Sequence, residues 1–492
     1  MSTESMYVRL GKDAPTFDKC LIAPFLVYAY CLIVAPMLMF EFPGAEGALS
    51  DRVENKLFWP FVTAISIGCL ALRNRSRLVW PPHIQWFAAY LSLAGASILW
   101  SFKPAISFSR FDAEMMMLIS VILPSMLGTR KADMMRGVFF CFAIGAILNA
   151  VLILGGYSTE SIADNVKIGY PGYFTFKGEL GEFAAFAFLV SLYEIFHRGW
   201  RRALGLIIVA TSVYLVVVSE SKGSLGCALL AAILATLVMF VARRTSVSLA
   251  IVVLPLPICY YVLSQIMGNL INRISWYVYG NYTLSGRIFI WDLINFEIAK
   301  RPLLGWGYRS IWIVGPDSPI LADAAGWIRN MPSAHNGYLD TILDTGHIGL
   351  VLFLVFIFAT LHAIGRVADR DIRRAWLLLS IAFFVILVNF LESSWMRGGD
   401  ALWLMFVVVV AEAGRYWRRF HSGLGAAGLV LRRPAIARRH PVFARAGGAA
   451  SGQNQTLESE RSPRLSVGSA DTERSKRLIL STRLACRQDN WT

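Results

Sequence analysis

Long apolar runs recur along this chain and leave little choice of fold. They lie at about residues 20–40, 57–73, 84–100, 113–128, 134–155, 179–197, 202–219, 223–242, 247–264, 336–363, 374–391 and 401–417. A helix of about 17–25 such residues crosses a hydrocarbon core of roughly 30 Å. No water is present there to satisfy a backbone N–H or C=O, so a spanning segment must bond within itself or close into a barrel. Barrel strands alternate apolar and polar residues, and these runs do not. The expected fold class is all-α: a polytopic integral membrane protein with about 12 transmembrane helices. One large outward loop, at about 265–335, is expected to carry amphipathic helices.

Composition agrees. Hydrophobic residues make up 56% of the chain and charged residues only 16%, against about a quarter charged in a soluble domain. The net charge of +15 suggests nucleic acid at first sight. The basic residues, however, mostly punctuate the ends of the apolar runs, where arginine and lysine set membrane orientation, so no nucleic-acid partner is expected. Six of the seven cysteines (Cys20, Cys31, Cys69, Cys141, Cys227 and Cys259) stand singly in or beside apolar segments. None forms a CxxC pair, which favours packing over metal binding.

The links containing Arg73, Arg75 and Arg77, then Arg130, Lys131 and Arg136, then Arg198, Arg201 and Arg202, are short and densely basic. So are those with Arg243 and Arg244, with Arg366, Arg370, Arg373 and Arg374, and with Arg415, Arg418 and Arg419. They alternate with sparser links, which places both termini in the cytoplasm. The domains expected are a cytoplasmic segment 1–19, helices one to nine over 20–264, the periplasmic loop 265–335 and helices ten to twelve over 336–417. A basic tail, 418–492, has no apolar period and suits contact with anionic headgroups. The polar start, MSTESMYVRLGKDAPTFDK, precedes a first span that is expected to target the chain itself.

The outward loop departs from the charge bias by retaining Arg273, Arg287, Lys300, Arg301, Arg309 and Arg329. Long loops escape that bias, so ordinary solvated residues are one reading; a grip on an anion is the other. Within the loop Ile290, Ile294 and Ile298 recur at four-residue spacing, while Arg287 and Trp291 share another helical face. Pro302 should end that helix and Gly305-Trp306-Gly307 should turn the chain. His335 stands where loop meets the tenth span, accompanied by Asn336, Tyr338, Asp340 and Asp344. A lone boundary histidine is more often a plain polar residue, but two aspartates one turn apart entering a membrane suggest the lining of a cavity. Lys222 occupies a very short outward link, either snorkelling or supplying a point charge. Glu179 and Glu182 begin the sixth span on the same side, and Glu392, Arg397 and Asp400 lie between the last two spans. The sequence has no P-loop, no Gly-x-Ser-x-Gly and no HExxH, and the outward loop has no Asp-x-Asp, so neither a hydrolase motor nor a metal-dependent transferase is expected.

These motifs resemble those of the O-antigen ligase and O-antigen polymerase superfamily, nearest to bacterial exopolysaccharide polymerases. The resemblance rests on Ser285-Gly286-Arg287 followed by Trp291, on Arg301-Pro302-Leu303-Leu304-Gly305-Trp306-Gly307, on His335-Asn336-Gly337-Tyr338-Leu339 and on Thr345-Gly346-His347-Ile348-Gly349-Leu350. Lys222-Gly223 matches the basic-then-small pair of the short outward link. The resemblance implies a metal-independent, inverting glycosyltransferase of the bacterial inner membrane, with no cofactor. Its donor and acceptor would be glycans on undecaprenyl diphosphate; flippase and chain-length or export proteins of the same pathway would be partners beside the membrane lipids. Arg287 and Lys222 would grip the diphosphate, with Arg301 or Arg309 as a third cation. His335 would be catalytic with Arg287, activating the incoming hydroxyl or holding the phosphate, and Glu179, Trp291, Asn336, Tyr338 and Asp340 would line the pocket. Two other functions stay open at this point: a ligase that moves glycan to the lipid A core, and a transporter of polysaccharide or lipid-linked glycan without catalysis.

Overall fold

The computed structural model describes residues 21–431 apart from 42–52, 72–79, 128–132 and the short stretches 161, 164–165, 168, 268–269, 281, 283, 285, 316 and 325. The expected N-terminal segment, most of the expected tail and Ser285 lie outside the described residues. Every expected span is helical. Helix α1 comprises Ile22–Ala29 and Ala35–Glu41, joined by a π turn at Tyr30–Val34. There follow α2 (Val53–Ala71), α3 (Pro82–Ala96), α4 (Pro104–Leu127), α5 (Met134–Leu154), α6 (Lys177–Ile195), α7 (Trp200–Val218) and α8 (Lys222–Thr245). Helix α9 is interrupted at Pro255 into Leu249–Val253 and Leu256–Met267. The loop region holds α10 (Leu270–Tyr279), α11 (Arg287–Lys300) and the short α12 (Pro319–Asp323). The chain then returns through α13 (Gly337–Ala368), α14 (Ile372–Val388) and α15 (Ala401–Leu431). Six of these segments are long and apolar enough to cross a membrane by the combined test of length and hydropathy.

Two differences from expectation have local causes. A two-residue antiparallel ladder, β1 (Ile162–Ala163) with β2 (Val166–Lys167), joins α5 to α6 in an otherwise all-helical molecule. Helix α15 passes the expected end at 417 and reaches Leu431. No proline interrupts it before Pro434, and a residue ahead of proline is pushed out of the α region.

A helix that is apolar on every face belongs in an interior. Accordingly, Trp403 to Val410 of α15 are fully buried, and α14 is buried almost throughout. Helix α13 packs against α3, α14 and α15, α8 against α14, α4 against α15, and α6 against α7. The outer helices keep apolar side chains on the outside, among them Ile233, Leu237 and Phe240 of α8 and Ile251, Ile258 and Ile266 of α9. Such a surface is solvated by lipid tails rather than water.

The links between helices gather into two opposite ends, joined by α14. At its first turn Arg374 reaches Asp133 at 2.8 Å and Glu412 at 3.5 Å, and Arg415 pairs with Glu412 at 2.9 Å. Nearby, Arg201 grips Glu194 with two hydrogen bonds, at 2.7 and 2.8 Å. All of these arginines come from the densely basic links. Beyond the other end of α14 lie Glu392 and the turn to α15, which meets Arg287 and His335.

The loop motifs interlock with a broken helix. Gly346 sits inside α13 with φ 69° and ψ −175°, so the helix cannot continue its own ladder there. The Arg301-to-Gly307 turn fills the gap: Trp306 N–H donates to the Leu343 carbonyl at 2.8 Å and Gly307 N–H to that of Asp344 at 2.9 Å. In return His347 N–H donates to the Pro302 carbonyl at 2.9 Å. A Cβ on Gly346 would run into the Leu303 carbonyl, and one on Gly305 into the backbone of Asp344. Only glycine suits this positive φ and this approach. Gly346→Ala is therefore expected to destabilise the protein by more than about 3 kcal/mol, from strain and overlap together. Its thermal midpoint in detergent and its membrane abundance measure this; wild-type values for both would rule the interlock out as a structural need.

Candidate active site

Helix α11 exists because Ile290, Ile294 and Ile298 bury one face, each under 10% exposed, against α13 and the loop. Its N-cap is Gly286 with φ 88°, a conformation that favours glycine, and the first helical residue is Arg287. Trp291, one turn on, donates its indole N–H to the Ala334 carbonyl at 3.0 Å. The helix thus presents Arg287 and pins the strap that carries His335. That strap is fastened on its other side too. Asn336 caps α13 by accepting from Tyr338 N–H and Leu339 N–H, and its own N–H donates to Ser393 Oγ at 2.9 Å. Gly337 N–H is shared between the Asn389 and Glu392 carbonyls, and the Tyr338 hydroxyl donates to the Ile386 carbonyl at 3.0 Å.

The outcome is a bridge. Glu392 accepts from Arg287 Nη2 at 2.6 Å through Oε1 and meets His335 Nδ1 at 2.9 Å through Oε2. Burial pushes the Glu392 carboxyl up, but the His335 hydrogen bond and the Arg287 charge outweigh it and hold the group below the usual glutamate range. An ionised carboxylate can only accept, so Nδ1 is the donor and Nε2 is left as the acceptor on the ring. Arg287 Nε is buried without a hydrogen-bond partner among the described residues. A buried donor left in this way is a place where an anionic oxygen would bind. His335 itself has φ 47°, and Met396, in the link that follows Glu392, has φ 57°. Held backbone strain of this kind gathers at functional sites.

The remaining expected residues fall into place around the bridge or away from it. Glu182 lies within electrostatic range of Glu392, Asp400 and Arg287. Glu179 accepts the N–H groups of Thr175 and Phe176 at 3.1 and 3.3 Å, closing the first turn of α6. The backbone of Lys222 opens α8 after Ser221, which packs on Gly181 of α6; its side chain lies outside the described residues. Asp340 accepts from Trp312 Nε1 at 2.8 Å and from Arg397 at 3.3 Å, and it also receives Ala334 N–H. With Asp344 it lines a polar recess that also holds Arg110, Arg309 and Arg397. Arg301 is not brought to Glu392; its guanidinium lies over the Trp306 ring, 4.2 Å from the centroid. Arg309 is separated from Arg287 by the Ala334–Asp340 contact and faces the recess.

Glu392 is the residue whose role the motifs hide. It stands alone after an apolar run, 105 residues from Arg287 and 57 from His335. The one available signal was an acid in a short link next to a bilayer. Asp400 plays a supporting part, accepting from Leu402 and Trp403 N–H at 2.8 and 3.2 Å to cap α15. Its burial pushes its carboxyl up to about 6.

Comparison with known proteins agrees with the motifs. A family model described as O-antigen ligase matches residues 207–354, which include Arg287, His335 and the interlocked loop. A protein of Rhizobium meliloti (strain 1021) named exopolysaccharide production protein ExoQ is 23% identical over 358 residues, 70% of this chain and 78% of that protein. Proteins named as polysaccharide ligase in Rickettsia felis and Rickettsia prowazekii are 26% and 27% identical over 127 residues. Those alignments cover 25% of this chain and 31% of each relative. Residues 207–354 of this membrane protein are thus similar to the O-antigen ligase family.

Proposed function

We propose that this chain is a glycosyltransferase that polymerises undecaprenyl-diphosphate-linked oligosaccharide repeats into an exopolysaccharide at the periplasmic face of the inner membrane. The convergence of Arg287 and His335 on the single carboxylate of Glu392 carries this reading. Twelve helices would span the bilayer, with both termini cytoplasmic. The basic links gathered around Arg374 and Arg201 support the cytoplasmic assignment of that end. The Glu392 bridge then belongs to the outer end, beside the loop region that begins at about residue 265.

In this mechanism the bond between the anomeric carbon and the diphosphate oxygen breaks, and its electron pair leaves with the lipid diphosphate. Arg287, through its unpartnered Nε, and Lys222 stabilise the growing negative charge in a poorly hydrated site. An acceptor hydroxyl attacks the opposite face of the anomeric carbon, so the configuration inverts, and its proton passes to His335 Nε2. Glu392 holds the imidazole in the required tautomer and stabilises the imidazolium that forms. No metal ion is required in this scheme, so a chelator should leave transfer unchanged. Loss restored by added divalent cation would overturn that feature.

Arg287→Ala and His335→Ala should each abolish polymer in a complemented deletion strain while membrane insertion stays normal. Full-length polymer from either variant would remove its assigned role. Glu392→Gln keeps the shape of the bridge and loses the charge that orients His335. It is expected to lower the transfer rate by about 10²–10⁴-fold, measured with purified enzyme and lipid-linked repeats; a rate within twofold or so of wild type would make Glu392 a packing residue only.

The description of the matched family and the Rickettsia names favour a second reading, a ligase that transfers finished glycan to the lipid A core. The longer alignment, to the exopolysaccharide production protein, favours the polymerase. Single lipid-linked repeats accumulating in a deletion strain fit the polymerase, whereas long unattached chains fit the ligase. Lengthening of a lipid-linked glycan by the purified protein would exclude a transporter without catalysis.

A further inference from the structure

The recess on the far side of Asp340 has its own chemistry. Three guanidinium groups, those of Arg110, Arg309 and Arg397, face the carboxyl groups of Asp340 and Asp344 across it. Two of the three are committed. Arg110 is spent on the main-chain carbonyls of Arg309, Trp312 and Ile313, and Arg397 on Asp340. Among the described residues Arg309 makes neither a side-chain hydrogen bond nor an ion pair, although it lines the recess. Its backbone is held at φ 45°, and Ile313, four residues on, at φ 52°. The Arg110 contacts clamp this strained turn in place. Strain held by several bonds around an uncommitted cation is what a binding site for an anion requires.

The recess adjoins the reacting centre. Asp340, which forms its wall, receives the N–H of Ala334, the residue before His335. A sugar whose hydroxyl approached Nε2 of His335 would therefore have a neighbouring substituent or ring within reach of the recess. The geometry points to an acceptor subsite here, in which Arg309 binds the carboxylate of an acidic sugar in the acceptor glycan. This inference rests on the transferase reading above. A multiply charged diphosphate fits less well, because the recess offers one guanidinium free of side-chain hydrogen bonds and the Asp340 carboxylate beside it repels a concentrated negative charge. A single carboxylate matches the one uncommitted guanidinium, which can hold it with two parallel hydrogen bonds, and Asp340 is placed to accept from sugar hydroxyls.

The test uses lipid-linked repeats from the source strain as acceptors, either intact or with their carboxyl groups reduced to alcohols. Donor is held intact and saturating, with the full-length protein in nanodiscs. Wild type should prefer the intact acceptor by about tenfold or more in kcat/KM. In Arg309→Met that preference should collapse toward one through a raised acceptor KM, and Arg309→Lys should recover part of it. Equal losses on both acceptors would make Arg309 structural. A rise in donor KM instead would assign the recess to the lipid diphosphate, and repeats that contain no carboxylate would overturn the proposal outright. Absence of transfer by wild type on either acceptor would instead defeat the transferase reading itself.

Discussion

At Gly346 the longest helix of the loop-facing core gives up its own hydrogen bonds, and the turn after Pro302 supplies replacements. In a low-dielectric interior an unsatisfied carbonyl costs several kcal/mol, so a break in a spanning helix must be repaired by something. Here the repair is made by backbone, from Trp306 and Gly307, with His347 returning a bond to Pro302. That exchange fixes where the loop enters and leaves the bundle. It sets the end of α11, hence the position of Arg287 at its start, and it fixes α13, hence the strap bearing His335. Two motifs that look independent in the chain are thus halves of one joint.

Bringing a guanidinium and an imidazole to one carboxylate has an electrostatic logic. Arg287 and a protonated His335 would repel each other, and Glu392 between them relieves this. The carboxylate loses hydration when buried, and its partners make good the loss, which is why its pKa falls despite burial. The arrangement remains ready for an anion, because Arg287 keeps Nε buried and unpartnered while its Nη2 is anchored. At the opposite end Arg374 and Glu412 are also buried and paired, with partners that come from helix ends and basic links. An orphaned donor is common to both, since Arg374 keeps Nε and Nη1 without a hydrogen-bond partner among the described residues; the Glu392 bridge differs in the positive φ of the residue that carries its imidazole, His335.

Much of this was legible in the chain. Since hydrophobic length is a one-dimensional property, the apolar runs became helices with most edges shifted by a few residues, though α4 begins earlier, at Pro104, and α15 runs on to Leu431. Ile290, Ile294 and Ile298 announced the buried face of α11, and Pro302 its end. Arg287 and His335 stood out because a cluster of ionisable residues is unusual in so apolar a chain. What the chain could not reveal was pairing across long separations. Glu392 has no local pattern, so its bridging role emerges only when α14 delivers it to the strap. Arg301 and Arg309 looked alike as loop cations, yet one lies on Trp306 and the other enters a recess, a difference decided by the turn between Gly305 and Gly307.

A site assembled from loops is ordinarily loose, but this one is tied into the most deeply buried part of the molecule. Glu114 of α4 accepts from the indole of Trp403 at 2.6 Å and so fixes the start of α15. Tyr308, fully buried, donates its hydroxyl to the Met396 carbonyl at 2.8 Å, linking the interlocked turn to the link that follows Glu392. Asn389 holds that same link through Ser394 and Trp395 N–H. The positive φ values at His335 and Met396 persist because the bonds around them outnumber the freedom they restrict. Dipoles held this firmly need little rearrangement when charge develops beside them, which is the property that separates a site capable of stabilising a leaving diphosphate from a merely basic surface.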